Sequence, residues 1–381
     1  MVALKDALAG FSNLELGVCW ASRSVTSLDK FDEDCIRYYS VPISRLGYYT
    51  QSFGREIEVC RRIVADFEPD VVHIHGTESF YGLMCDSSNT PSVIELNGIL
   101  TKCTGVYFGQ MALSDILRHP RVVRTYWDMR MRTRVERRIF RRGQFFIGRS
   151  LWDQSQVAQV NPSGCYYYVP YMLRKPFDEA HWNLDSAEKG VVYCTSSASP
   201  YKGVDTLIEA FYILRSWLPG SSLRVGGIAK DAGLGKFLWQ IVEKLDLQDS
   251  VSFLGYLTAE EIACQLLQAH AYVLPSFIEN SPNSLSEAMS VGVPCVASFV
   301  GGVPSLIRDE ESGLLFPRGD AAVLAMQLKR ILTDDALAEH LSVKGREIAR
   351  ERHDSQRIVE SYLSIYRELA EGDQSSQAME K

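Results

Sequence analysis

The sequence predicts an α/β protein made of two doubly wound, Rossmann-like parallel sheets. Short apolar β-type runs alternate with amphipathic helical segments through the second half, and the first half repeats the theme less regularly. At 381 residues the chain is long enough for two domains, each with its own core. Strand–helix alternation demands right-handed crossovers, hence parallel strands covered on both faces.

In chain order, the first half offers strands at Leu14–Trp20, Ile36–Val41, Val71–His75, Val93–Leu96, Gln144–Ile147 and Tyr166–Val169. A helix over Gly54–Phe67 precedes the third. The pattern breaks around Pro170–Lys189, where Pro170, Pro176 and a polar run intervene. Strands resume at Val191–Thr195, Leu223–Gly226, Val251–Leu254, Ala271–Leu274 and Cys295–Ala297. Between them, Leu207, Ile208, Phe211 and Leu214 share one helix face, as do Phe237, Leu238, Ile241, Val242 and Leu245. Helices close the chain at Ala321–Leu332, Asp335–Arg352 and Ser355–Leu369. The last presents Ile358, Tyr362, Ile365, Tyr366 and Leu369 on one side, with Asp354 or Ser355 as its cap. The expected division is a domain over 1–175, a second over 185–352, a helix over 353–371 that crosses back to the first, and a disordered tail over 372–381.

Apolar residues make up 46% and charged residues 23%, as in an ordinary soluble globular protein. The formal charge of −7 argues against a general nucleic-acid binder. Nine cysteines include no CxxC pair and no zinc spacing, so free thiols in a reducing cytoplasm are expected. No apolar run reaches the roughly 18 residues of a spanning helix, and the start does not read as a signal peptide. Asp32-Glu33-Asp34 spells D-x-D, but within a charged connection before a strand, so a surface loop is expected there and no metal site. Gly233-Leu234-Gly235-Lys236 lacks the Ser/Thr of a P-loop, and no G-x-G-x-x-G opens a strand–turn–helix unit. No bound cofactor is expected.

The most informative stretch is Glu279–Met289, reading ENSPNSLSEAM. It follows the strand Ala271–Leu274 and the turn Pro275–Ser276, and leads into a helix from about Ser284 to Gly292. Ligands of open α/β sheets sit outside the carboxyl ends of strands, and helix N-termini attract anions. A diphosphate fits such a place. The polar loop with Asn280, Ser281 and Asn283 can hydrogen-bond sugar hydroxyls, and Glu287 can accept two hydroxyls of a ribose. Ser284 and Glu287 equally match the S-x-x-E capping box, which alone would account for Glu287. Taken singly, Glu279 and Lys202 read as an ordinary loop carboxylate and a solvated loop lysine.

Glu279 and Glu287 together resemble the E-x7-E motif of retaining glycosyltransferases of family 4, which have the GT-B fold. The surroundings resemble that family too: Tyr201-Lys202-Gly203-Val204-Asp205, Phe253-Leu254-Gly255-Tyr256, Val291-Gly292-Val293-Pro294, Gly301-Gly302-Val303-Pro304 and Ser312-Gly313-Leu314-Leu315-Phe316-Pro317, in order across nearly all of 190–350. The resemblance implies that Glu279 contacts the donor sugar, Glu287 the ribose and Lys202 the diphosphate, with Ser284 and Tyr256 at the same donor site. It also implies two departures. Ser197 stands where relatives often carry a phosphate-binding arginine, and Ser305 where a glutamate often follows.

In the first half, Asp70-Val71-Val72-His73-Ile74-His75-Gly76 resembles the family's D-V-V-H-x-H segment. His73 and His75 share a face, His73 reading as a buried structural histidine and His75 as the catalytic-cleft candidate. Asn97-Gly98 replaces the family's His-Gly on the acceptor side, so Asn97 keeps a hydrogen bond but cannot take a proton. Retention tolerates this, because the leaving phosphate can take the acceptor proton. The family's first strand and Gly-rich loop have no counterpart before Leu14–Trp20, since Leu4–Leu8 already resembles the helix that follows them. Either the sequence begins late or part of the site is lost. The implied activity is retaining, metal-independent transfer from a nucleotide sugar to a glycan or lipid-linked acceptor in surface polysaccharide assembly. Rivals are a nucleotide-sugar epimerase on the same fold and a non-catalytic binding protein.

Arg118–Arg149 is rich in arginine: Arg130, Arg132, Arg134, Arg137, Arg138, Arg141 and Arg142 face only Asp128 and Glu136 in sequence. Such a helix suits peripheral contact with anionic lipid at the inner face of a membrane, or a solvated face with intrachain pairs.

Overall fold

The computed structural model describes residues 2–379 apart from 23, 44–45, 51 and 87–89. It divides into two compact units: residues 1–101, 127–172 and 354–381 form the first, and 102–126 and 173–353 the second.

The first unit contains two sheets. Strands β1 (Leu16–Ser22), β2 (Asp29–Glu33) and β3 (Ile36–Pro42) run in the order β1-β3-β2, with β1 parallel and β2 antiparallel to β3. Strands β4 (Val72–His75), β5 (Ser92–Glu95), β6 (Phe145–Gly148) and β7 (Cys165–Tyr168) form a parallel sheet in chain order. Neighbouring residues on β5 and β6 face opposite ways. Ile94 and Phe146 join Tyr39, Val41, Phe80 and Ile139 in one core. Val93 and Ile147 join Val169, Ile358, Tyr362 and Leu369 in the other, which seats the C-terminal helix Ser355–Met379 on this unit.

Four expectations change here. The D-x-D segment is not a loop: Asp32 and Glu33 end β2, and Asp34 and Cys35, both at positive φ, form the two-residue turn into β3. Positive φ at both turn positions matches the twist of a tight hairpin. Asp32 stays exposed and pairs with Arg37 at 3.3 Å. The final helix, capped by Asp354 Oδ1 accepting from the Arg357 amide at 2.8 Å, continues through Gly372 to Met379, where a disordered tail was expected. One glycine costs a helix only about 1 kcal/mol, and no proline follows it. Residues 102–126, expected in the first domain, belong to the second unit. There Gln110 donates to the Gly319 carbonyl at 2.7 Å, and the Tyr107 ring meets Tyr201.

The arginine-rich segment forms the helix Pro120–Arg142, but Glu136 does not oppose its charges. Glu136 is buried and accepts from the Leu100 and Thr101 amides, both at 2.7 Å, which satisfies the start of the helix Leu100–Gly105. Arg134, Arg137, Arg138 and Arg141, spaced for one helix stripe, are left at least partly exposed.

The second unit is one six-stranded, wholly parallel sheet: β8 (Val191–Thr195), β9 (Ser222–Gly226), β10 (Val251–Gly255), β11 (Ala271–Leu274), β12 (Cys295–Ser298) and β13 (Leu314–Phe316). The order is β10-β9-β8-β11-β12-β13. All four residues of β11 and of β12 are buried, as expected of strands covered on both faces. Tyr272, Leu274, Cys295 and Ala297 pack with Leu285, Ala288 and Met289 of the helix Asn283–Val291, which fixes that helix on the sheet.

Candidate functional site

The sheet of the second unit reverses its winding between β8 and β11, which are hydrogen-bonded neighbours. The crevice beyond the carboxyl ends of two such strands is where open α/β sheets take ligands. After β8 the chain makes a short turn, Pro200–Lys202, before the helix Val204–Trp217. After β11 it runs through Glu279 into the helix Asn283–Val291.

These two connections meet. Lys202 Nζ lies 2.6 Å from Glu279 Oε1, and Ser276 Oγ donates to the same oxygen at 2.7 Å. Two glycines permit the approach. Gly203 sits at φ 68°, where a Cβ would collide with the Pro275 carbonyl, and Gly301 sits at φ 48°, where a Cβ would collide with the Glu279 carbonyl. The Gly302 amide then donates to that carbonyl at 3.1 Å. Burial works against the charge on Lys202, but Glu279 more than compensates and raises its pKa above the ordinary lysine value. The side chains remain 23% and 11% exposed, so the pair is reachable from solvent.

Glu287 is buried in the same helix and accepts two hydrogen bonds from Arg174, from Nε at 3.0 Å and Nη2 at 2.7 Å. The capping-box reading fails. The helix is capped at Pro282 with no side-chain bond, so Ser284 is already inside it and Glu287 lies beyond the first turn. Burial raises the Glu287 pKa, and the Arg174 guanidinium opposes that rise. The N-cap residue of this helix, Pro282, makes no side-chain cap bond, and helix N-terminal amides of this kind are donors suited to an anion. Asn280 and Ser281 are buried in the loop, Asn283 is exposed and Ser284 half-buried. Ser197 follows β8 and is exposed; Tyr256 follows β10 and is 90% exposed. Because every strand is parallel, these residues share the carboxyl edge of one sheet.

In the first unit, His75 and Glu95 are register partners at the ends of β4 and β5. Glu95 is buried and bound by three elements. Its Oε1 accepts from Arg149 Nη2 and from Tyr362 Oη, the latter at 2.6 Å, and its Oε2 faces His73 Nε2 at 3.2 Å and His75 Nδ1. Burial would raise the Glu95 pKa, yet Arg149, helped by both histidines, holds it well below the usual carboxylate range. His73 is half-buried, with 12% of its side chain exposed, and its pKa is lowered by desolvation and then by His75. Asn97 Oδ1 accepts from Tyr171 Oη at 2.5 Å and from Arg149 at 3.3 Å, which leaves the Asn97 amide to donate. Gly98 is half-buried beside it.

Residues 176–348 match the family described as glycosyl transferases group 1. That span lies within the second unit. The chain is 29% identical over 194 residues to the N-acetyl-alpha-D-glucosaminyl L-malate synthase of Bacillus anthracis, a match covering 51% of this chain and 49% of the relative. It is 41% identical over 97 residues to the amylovoran biosynthesis glycosyltransferase of Erwinia amylovora, 24% of either chain. The matches thus span half or less of these curated relatives. In architecture it is similar to the sucrose-phosphate synthase of Thermosynechococcus elongatus, with a TM-score of 0.76, 22% identity, and coverage of 96% of this chain and 90% of that one. The fold is GT-B.

The sequence motifs singled out Lys202, Glu279 and Glu287 but not Arg174, Glu95 or Arg149. Arg174 is 113 residues from Glu287, and no local pattern joins them. Arg149 and Glu95 carried a faint signal, as charged residues at the ends of apolar strands.

Proposed function

We propose that this chain is a retaining, family 4-type glycosyltransferase that moves a sugar from a nucleotide-diphosphate donor to a glycan or lipid-linked acceptor in surface polysaccharide assembly. The observation behind this reading is the Lys202–Glu279 pair at the switch point between β8 and β11. A fixed ammonium beside an uncapped helix N-terminus stabilises the charge that develops on a departing diphosphate. Glu279 orients the sugar, Glu287 takes the ribose hydroxyls, and Asn280, Ser281, Asn283, Ser284, Ser197 and Tyr256 line the donor. His75 is the catalytic candidate of the first unit, and Asn97 and Gly98 serve the acceptor side. The reaction as proposed uses no metal. One relative's name, an amylovoran biosynthesis glycosyltransferase, supports the polysaccharide part of this reading.

The test is a thermal-shift screen of nucleotide sugars on the whole chain and on Glu287→Ala. A matching donor raises the midpoint of the parent, and the variant binds it about 10- to 100-fold more weakly, as expected when hydrogen bonds to a charged group are lost. If no donor stabilises the parent, or the variant responds equally, the site assignment is wrong. Conversion of the donor in the absence of any acceptor would identify an epimerase instead. Binding with neither hydrolysis nor transfer would identify a non-catalytic protein.

The arginine stripe of the helix Pro120–Arg142 supports a second expectation, peripheral binding to anionic membranes. Each basic residue near such a surface contributes about 1 kcal/mol. Vesicles containing anionic lipid should sediment the chain at low salt, and Arg137→Glu with Arg141→Glu should abolish this. Equal sedimentation with neutral vesicles would rule the stripe out.

A further inference from the structure

We propose that His73, His75 and Glu95 form a binding site for one divalent ion of the zinc, cobalt or nickel kind. It shares His75 with the proposed transfer reaction, and its test reads metal binding alone, apart from any sugar transfer. His73 Nε2, His75 Nδ1 and a Glu95 carboxylate oxygen all lie within 4.8 Å of one another. Strand geometry explains the convergence: the two histidines alternate onto one face of β4, and Glu95 is the register partner of His75 on β5.

One carboxylate oxygen serves both imidazoles: Glu95 Oε2 is 3.2 Å from His73 Nε2 and closer still to His75 Nδ1. A cation set among these three atoms would take the place of the protons they now share. The supporting contacts are those expected around a metal. His73 Nδ1 is 2.6 Å from Tyr366 Oη, which fixes the ring and turns Nε2 toward the cluster. Arg149 and Tyr362 hold Oε1 and leave Oε2 facing the imidazoles. The rings of His73 and His75 stack at 4.1 Å, so neither is free to swing away.

The choice of ion follows from the donors. Calcium and magnesium take mostly oxygen ligands, and this cluster offers two imidazoles and a single carboxylate. Two imidazoles and one carboxylate suit borderline ions, and three protein ligands leave a coordination position open.

The experiment uses the whole chain after chelator treatment, titrated with Co²⁺ alone and followed by absorption and calorimetry. The expected result is one saturable site without a thiolate charge-transfer band, weakened at least about 100-fold in His75→Asn and in His73→Asn. Tyr366→Phe, which keeps all three ligands, should weaken it about 10- to 100-fold. His75 is the more exposed histidine, so its variant serves if His73→Asn does not fold. Absence of saturable binding overturns the proposal. So does a thiolate band, or binding unchanged in both histidine variants, since the nine cysteines would then hold the ion.

Discussion

Replacing Lys202 with alanine is expected to lower kcat for sugar transfer about 100- to 1000-fold, the usual cost of removing a group aimed at developing charge. The ammonium is held by Glu279 and by a turn whose next residue, Gly203, allows contact with the loop after β11. It meets the diphosphate most strongly as the glycosidic bond breaks, so KM should change far less than kcat. Single-turnover transfer of the donor found by thermal shift measures this directly. A kcat within threefold of the parent would remove Lys202 from the mechanism. Glu279→Gln should also reduce kcat, but the two losses should not add, because each residue positions the other.

Arg149→Met is expected to destabilise the chain by about 3–5 kcal/mol at neutral pH, because it leaves Glu95 ionised and buried without its cation. The guanidinium also donates to the Leu96 carbonyl and lies over the Tyr171 ring at 3.4 Å, so one substitution loosens β5, β6 and the C-terminal helix together. The pH dependence adds a second signature. In the parent the folded-state pKa of Glu95 lies below its unfolded value, so its stabilising contribution is fully present above the ordinary carboxylate range and is lost as pH falls below that range through the lower folded-state pKa. In the variant, burial dominates and the pKa rises. Its destabilisation should therefore shrink as pH falls from neutral toward the carboxylate range. Urea midpoints at several pH values test both points. A loss under about 1 kcal/mol at neutral pH would show that the buried pair is dispensable.

The sequence by itself determined the α/β character, because β11 and the first three residues of β12 are apolar runs and the segments between strands keep a helical period. It also singled out Lys202, Glu279 and Glu287 through short segments with ordered spacing. Local spacing could not show what Glu287 touches: the capping box was equally consistent with the letters, and the start of the helix at Asn283, with Arg174 arriving from far along the chain, decided against it. The same limit explains Glu136, an apparent counter-charge to the arginines that instead serves a different helix. It explains the His73–His75–Glu95 cluster too, whose members stand on two strands aligned only by register. Periodicity reports which face is apolar. Partner choice for a charged group depends on which distant backbone or side chain the fold delivers within about 3 Å, and that is fixed only when the strands and helices have packed.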